Sequence, residues 1–138
     1  MKRVVVTGYG IVSCLGNDRH AVLDSLKQGR SGIKFQQKYV DIGMRSHIAG
    51  SVDIDIDAFI DRKVKRFMGD SAAYAYISMQ QAIEHAGLSE DLVSNIRTGI
   101  IMGSGGGSSS NQVEAADIMR LAEIEGLGAH ARSVKIRL

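Results

Sequence analysis

Arg97–Gln112 reads RTGIIMGSGGGSSSNQ, and the fold expected of the chain turns on this stretch. Thr98–Met102 is a short apolar run of strand character. Gly103, Gly105, Gly106 and Gly107 then make a turn, and Ser108–Ser110 lead toward a helix expected from about Asn111 to Arg120. Without a Cβ, glycine lets backbone bend freely and lie close to another surface. The serine hydroxyls suit the start of a helix, where they can accept from free amides. A strand running through a glycine bend into a helix is how open α/β sheets present backbone to a ligand or a neighbouring subunit. A tight connection whose glycines merely permit packing accounts for the same residues equally well.

The residues after the glycines decide between phosphate-binding readings. A P-loop needs Lys-Ser or Lys-Thr after its last glycine. Here Gly107 is succeeded by three serines, and no lysine occurs before Lys135, so that reading fails. A dinucleotide fingerprint needs glycines at fixed offsets and an acidic residue about 20 positions on. The glycines from Gly103 onward fit it only loosely.

Outward from this stretch, the whole chain sets bounds. Its 138 residues suit one domain with a modest core. Hydrophobic content of 44%, charged content of 23% and a net charge of +2 are ordinary for a globular domain and argue against wholesale nucleic-acid binding. A single cysteine, Cys14, excludes an internal disulfide and suits a reducing cytoplasm. No apolar run approaches the ~20 residues of a membrane span, and Val4–Thr7 is too short for a signal peptide. Sixteen glycines with no proline is an unusual balance for a mixed domain.

At the N-terminus, Lys2–Thr7 (KRVVVT) is β-branched without alternation, which predicts a strand covered on both faces. Gly8-Tyr9-Gly10 ends it and superficially resembles a dinucleotide turn, but the next helix is expected only from Asn17 or Asp18. Cys14 reads as a small packed thiol: His20 is close in sequence, but the intervening turn gives no reason for the pair to meet. Val22, Leu23 and Leu26 give a helical face that stops at Gly29. Residues 34–45 show no clear pattern, Ser46–Val52 suits a short strand or hairpin arm, and His47 has no partner at metal-ligand spacing.

Asp53, Asp55 and Asp57 alternate with apolar residues but lack the glycine and glutamate of a calcium loop, so they are expected to cap a short helix near Ala58–Asp61. Arg62, Lys63, Lys65 and Arg66 form the one concentrated basic cluster. It abuts Phe67-Met68, as though rimming an apolar opening for an acidic partner; a merely solvated face fits as well. Asp70 is expected to cap a long helix through Ala86, with Ala72, Ala73, Tyr76, Ile77, Met79, Ala82 and Ile83 spaced by threes and fours. Gly87 is its left-handed stop. Two apolar strands joined by helical crossovers predict an α/β fold with parallel pairing.

Taken in order, KRVVVTGYGIVSCLGN, GRSGI, MRSH, IDRKVKRFMGD, AYISMQQAIEHAGL and GIIMGSGGGSSSNQ resemble the start of β-ketoacyl-acyl carrier protein synthases, nearest to the type I condensing enzymes of bacteria. The resemblance implies part of a thiolase-like layered α/β fold, a homodimer and a cytoplasmic enzyme without metal or other cofactor. Members capture an acyl chain on a cysteine and condense it with decarboxylating malonyl-carrier protein. The nucleophilic cysteine and two histidines of the family match no residue here, neither Cys14 nor His20, His47, His85 or His130. The chain is therefore expected to be catalytically inactive alone, resembling roughly the first third of such an enzyme.

By the same resemblance, Gly106 and Gln112 correspond to acyl-pocket positions, and Arg62, Lys63 and Arg66 to the surface on which acidic acyl carrier protein docks. Residues 1–120 are expected to form the N-terminal part of the synthase domain, and 121–138 (LAEIEGLGAHARSVKIRL) a divergent tail lacking the family's Gly-Pro-aromatic segment. Two other function classes stay open on the residues alone. One is a non-catalytic module that binds acyl carrier protein, the other a nucleotide-binding α/β domain. No partner among nucleic acids or membranes is expected.

Overall fold

The computed structural model describes residues 3–66 and 68–124. Its elements run α1 (Arg19–Lys27), β1 (Ile33–Phe35), α2 (Gln37–Asp41), β2 (Ile48–Gly50), a 3-10 turn (Ile56–Ala58), α3 (Arg62–Lys65), α4 (Asp70–Ala86), α5 (Glu90–Val93) and α6 (Ser109–Ile124). The central element is α4. It ends at Gly87 in a left-handed conformation (φ 65°, ψ 32°), with the Gly87 and Leu88 amides folding back onto Glu84 and Ile83 carbonyls. Its start differs from expectation. Gly69 occupies the cap position and Asp70 is the first helical residue, with no side-chain cap bond. From there the Asp70 carboxylate still faces the positive end of the helix.

The segment Gly8–Asn17 lies directly on α4. A Cβ on Gly8 would stand 2.5 Å from the Ala82 carbonyl oxygen, and one on Gly10 would collide with the Ser78 carbonyl. Only glycine allows that approach. Gln81 fastens the segment at two points, accepting from the Ile11 amide (2.9 Å) and donating to the Asn17 carbonyl (2.6 Å). His85 Nδ1 accepts from the Tyr9 amide at 3.2 Å, with the two rings edge to face. A small core forms beneath: Ile60, Ala73 and Ile77 are buried, and Val12, Ile54, Ile56 and Met68 pack on them.

β1 and β2 pair antiparallel, Ile33 opposite Gly50 and Phe35 opposite Ile48. This hairpin is the sheet found among the described residues. The parallel pairing expected of Lys2–Thr7 and Thr98–Met102 is not present among the described residues. Neither segment is a strand over its described residues, Val4 is 95% exposed and Ile101 98%. A strand exists only through a ladder partner, and none of the described residues supplies one to either segment. The result is a mixed helix–strand structure compatible with an α/β fold. The acidic stretch also forms differently than expected. The turn falls at Ile56–Ala58, capped by Asp55 through the Asp57 amide, while Asp61 caps α3 through the Lys63 amide.

No helix among the described residues is long and apolar enough to cross a membrane. The chain exposes 11573 Å², against about 7,000 Å² for a compact monomer of this length.

Candidate functional site

Between α4 and the start of α6 lies a cleft of about 830 Å³. One wall is the stripe Ala72, Ala75, Tyr76 and Met79 of α4, spaced three and four apart so that all fall on one face. The opposite wall is the extended stretch before α6. Ile100, Met102 and Ser104 line the cleft and Ile101, between the first two, does not, as expected where side chains of extended backbone alternate. Gly103, Gly106 and Gly107 continue this wall, and Ser108, Asn111, Gln112 and Ala115 close one end. The two helix starts meet there: a Cβ on Gly69 would touch the Ser108 side chain at 2.5 Å. Ser108 Oγ in turn accepts from the Asn111 amide (3.4 Å), so a serine caps α6 as the sequence suggested. That helix begins at Ser109, two residues earlier than expected.

The loop glycines have no explanation inside the described structure. Gly103, Gly105 and Gly106 are not in the left-handed region, and nothing lies within 4 Å of where their Cβ atoms would stand. Gly107 differs, because the Gln112 amide rests 3.1 Å from its would-be Cβ. Gly106 and Gln112, singled out from sequence, thus both line the cleft.

Arg62 and Lys63 lie in the single turn of α3 and Arg66 caps its end, its amide bonded to the Arg62 carbonyl. All three are exposed. Two residues on, Met68 lines the cleft, so the basic turn and the apolar opening are contiguous in the chain. Lys65 of the same turn bridges to Asp57 at 2.7 Å.

Cys14 is half-buried against the hairpin. A Cβ on Gly32 would stand 2.6 Å from its sulfur and one on Gly50 3.0 Å, so the thiol is packed between two glycines. The histidines have other contacts: His20 accepts from Arg19, His47 meets the Phe35 ring and His85 holds Tyr9. His130 lies outside the described residues, as does 125–138 of the expected tail. Among the described residues no group of three or more His, Cys, Asp or Glu could hold a metal. Gly8 and Gly10, which resembled a dinucleotide turn, are occupied by packing on α4. Sequence alone does not mark the α4 wall as part of a site. Its 3–4 spacing is visible, but spacing does not separate a cleft-lining face from a core-facing one.

Comparisons with known proteins agree on one family. The family model described as β-ketoacyl synthase, N-terminal domain, matches residues 1–133. The 3-oxoacyl-[acyl-carrier-protein] synthase 1 of Haemophilus influenzae is 55% identical over 120 residues, covering 87% of this chain and 30% of that protein. Its Escherichia coli K12 counterpart is 57% identical over 121 residues, with the same coverages. A crystal structure of a β-ketoacyl synthase from Burkholderia phymatum superposes with a TM-score of 0.74 at 29% identity, over 87% of this chain and 30% of that one. The chain thus spans about a third of the length of these relatives. It belongs to the β-ketoacyl synthase family, within that family's N-terminal domain.

Proposed function

We propose that residues 1–120 are the N-terminal part of a β-ketoacyl-acyl carrier protein synthase, which joins an acyl thioester to malonyl-carrier protein by decarboxylative Claisen condensation in fatty-acid elongation. The chain's share is recognition: the cleft takes the acyl chain and the α3 turn receives the carrier. The observation that carries this reading is the set of glycines facing open space. Gly106 lines an apolar cleft and lacks both a conformational and a packing reason to be glycine. A ligand that needs the room would supply one. Gln112, laid over Gly107 at the cleft's polar end, fixes that boundary.

The exposed Arg62, Lys63 and Arg66 precede the cleft directly and offer an acidic carrier protein a docking surface. Such a surface steers and orients more than it tightens. The reading further places the enzyme in the cytoplasm as a homodimer, with residues 121–138 as a divergent tail. Covalent capture of the acyl group needs an activated nucleophile beside a base, whereas Cys14 is wedged between Gly32 and Gly50. The 138-residue chain alone is therefore inactive.

The test is a hybrid in which residues 1–120 replace the corresponding part of the Escherichia coli relative. Reversing Lys63 and Arg66 to Glu should raise KM for carrier-borne acyl substrate by roughly tenfold and flatten its salt dependence. A pantetheine thioester, with no acidic protein to dock, should be used as before. Equal losses on both substrates would contradict the docking assignment.

A further inference from the structure

Residues 62–66 include the cations Arg62, Lys63, Lys65 and Arg66, and the structure sets one of them apart. Successive helical residues are about 100° apart, so Arg62, Lys63 and Arg66 share one arc of about 100° whose middle lies about 110° from Lys65. Those three are exposed, while Lys65 is half-buried. Its Nζ donates to Asp57 Oδ1 of the preceding 3-10 turn at 2.7 Å. A single helical turn has little stability of its own, since its first hydrogen bond fixes several residues at once. α3 is therefore held from outside. Asp61 accepts from the Lys63 amide at 2.8 Å, Ile60 before it is buried, and Met68 beyond it packs on the same core. These ties hold the ends of the turn, whereas the Lys65–Asp57 pair joins its flank to a second anchored element. Asp57 is itself fixed, its amide donating to Asp55 at 3.1 Å beside Ile56, which packs on that core.

We propose that Asp57 is a positioning residue for the basic turn: by holding Lys65 it fixes the direction in which Arg62, Lys63 and Arg66 face and keeps the fourth cation out of their arc. This rests on the reading of the turn as the carrier's docking surface. The pair is exposed, Asp57 at 66% and Lys65 at 35% of its side chain, and exposed pairs contribute little to stability. Its contribution is to orientation. Placement of charge is what fixes the register of an acidic partner, so a small loss of order in the turn is read out in docking rather than in the fold.

The experiment measures kcat and KM of the hybrid defined above for carrier-borne acyl substrate and for a pantetheine thioester. Its variants are Asp57→Asn, Lys65→Gln and the exchange Asp57→Lys with Lys65→Asp, beside the reversal of Lys63 and Arg66 to Glu. Asp57→Asn and Lys65→Gln should each raise KM for carrier-borne substrate by roughly two- to fivefold, the range of an exposed ion pair. Neither should change kcat or use of the pantetheine thioester. The exchange rebuilds the pair with its ends reversed and the net charge unchanged, and should return KM to the parent value. If only the number of charges mattered, Asp57→Asn would lower KM while Lys65→Gln raised it, and that opposite movement overturns the proposal. So does a raised KM in both single variants without recovery in the exchange, or an equal loss on both substrates. An unchanged KM in both, with the Lys63 and Arg66 reversal raising it, overturns the role of Asp57 and leaves the docking turn standing. An unchanged KM in the reversal as well overturns the docking reading, and this inference with it.

Discussion

Asp18 shows how one side chain starts an element. Its carboxylate accepts from the His20 and Ala21 amides at 2.8 and 3.0 Å, satisfying two donors that α1 would otherwise leave open. The bond from Ala21 is the main cause of its carboxyl titrating below the usual value of 3.8. A depressed folded pKa means stability that is present above the unfolded value and lost as pH falls through the folded one. Asp18→Ala should thus cost the hybrid about 1 kcal/mol at neutral pH. Denaturant titration should find that difference vanishing in acid, below 3.8. A difference that persists there would point to some other role. Gly10 is the steric counterpart, pressed against the Ser78 carbonyl. Gly10→Val should cost about 1–3 kcal/mol and lift the Gly8–Asn17 segment from α4, seen as faster hydrogen exchange at the Ile11 amide. Unchanged protection there would mean that Gln81 alone holds it.

Among the elements, the longer helices are legible in the sequence, whereas α2, inside the patternless stretch 34–45, and the pairing of the sheet are not. α1 and α4 announce themselves by apolar spacing and by stops at Gly29 and Gly87, which are local properties of the chain. The β1–β2 hairpin is half visible. Its second arm falls within Ser46–Val52, as expected, but Ile33–Phe35 gives no signal, because three residues are too few to show a period and their pairing is a tertiary fact. Val4–Thr7 and Thr98–Met102 have strand composition without strand structure, since composition cannot supply a ladder partner. The cleft is legible at Gly106 and Gln112 only through the family resemblance, and its α4 wall not at all. The two unpaired segments yield a contrast. Val5→Asp and Ile101→Asp should leave the isolated chain's helicity and solubility unharmed, because both side chains are exposed in it. In the hybrid each should reduce the yield of soluble enzyme by roughly tenfold, as expected where an unpaired charge is buried. Tolerance in both settings would mean that neither segment becomes a covered strand.

For the molecule as a whole, surface decides behaviour. With 11573 Å² exposed, and Val4–Val6, Ile100–Met102, Phe35 and Ile48 among the uncovered apolar residues, the chain exceeds what a soluble monomer ordinarily leaves open. Purified alone it should associate or melt without cooperativity, and a sharp monomeric peak with a cooperative transition would count against this. Supplied with the remainder of a synthase, the same surfaces should become interior, and the cleft should become a pocket with its basic approach. The most direct measurement of that claim is condensation by the unmodified hybrid, residues 1–120 of this chain joined to the rest of the Escherichia coli relative. Its turnover of acyl-carrier and malonyl-carrier protein is predicted to lie within about tenfold of the parent enzyme's, a barrier difference below about 1.4 kcal/mol. A hybrid that is soluble, folded and dimeric yet forms no β-ketoacyl product would contradict it.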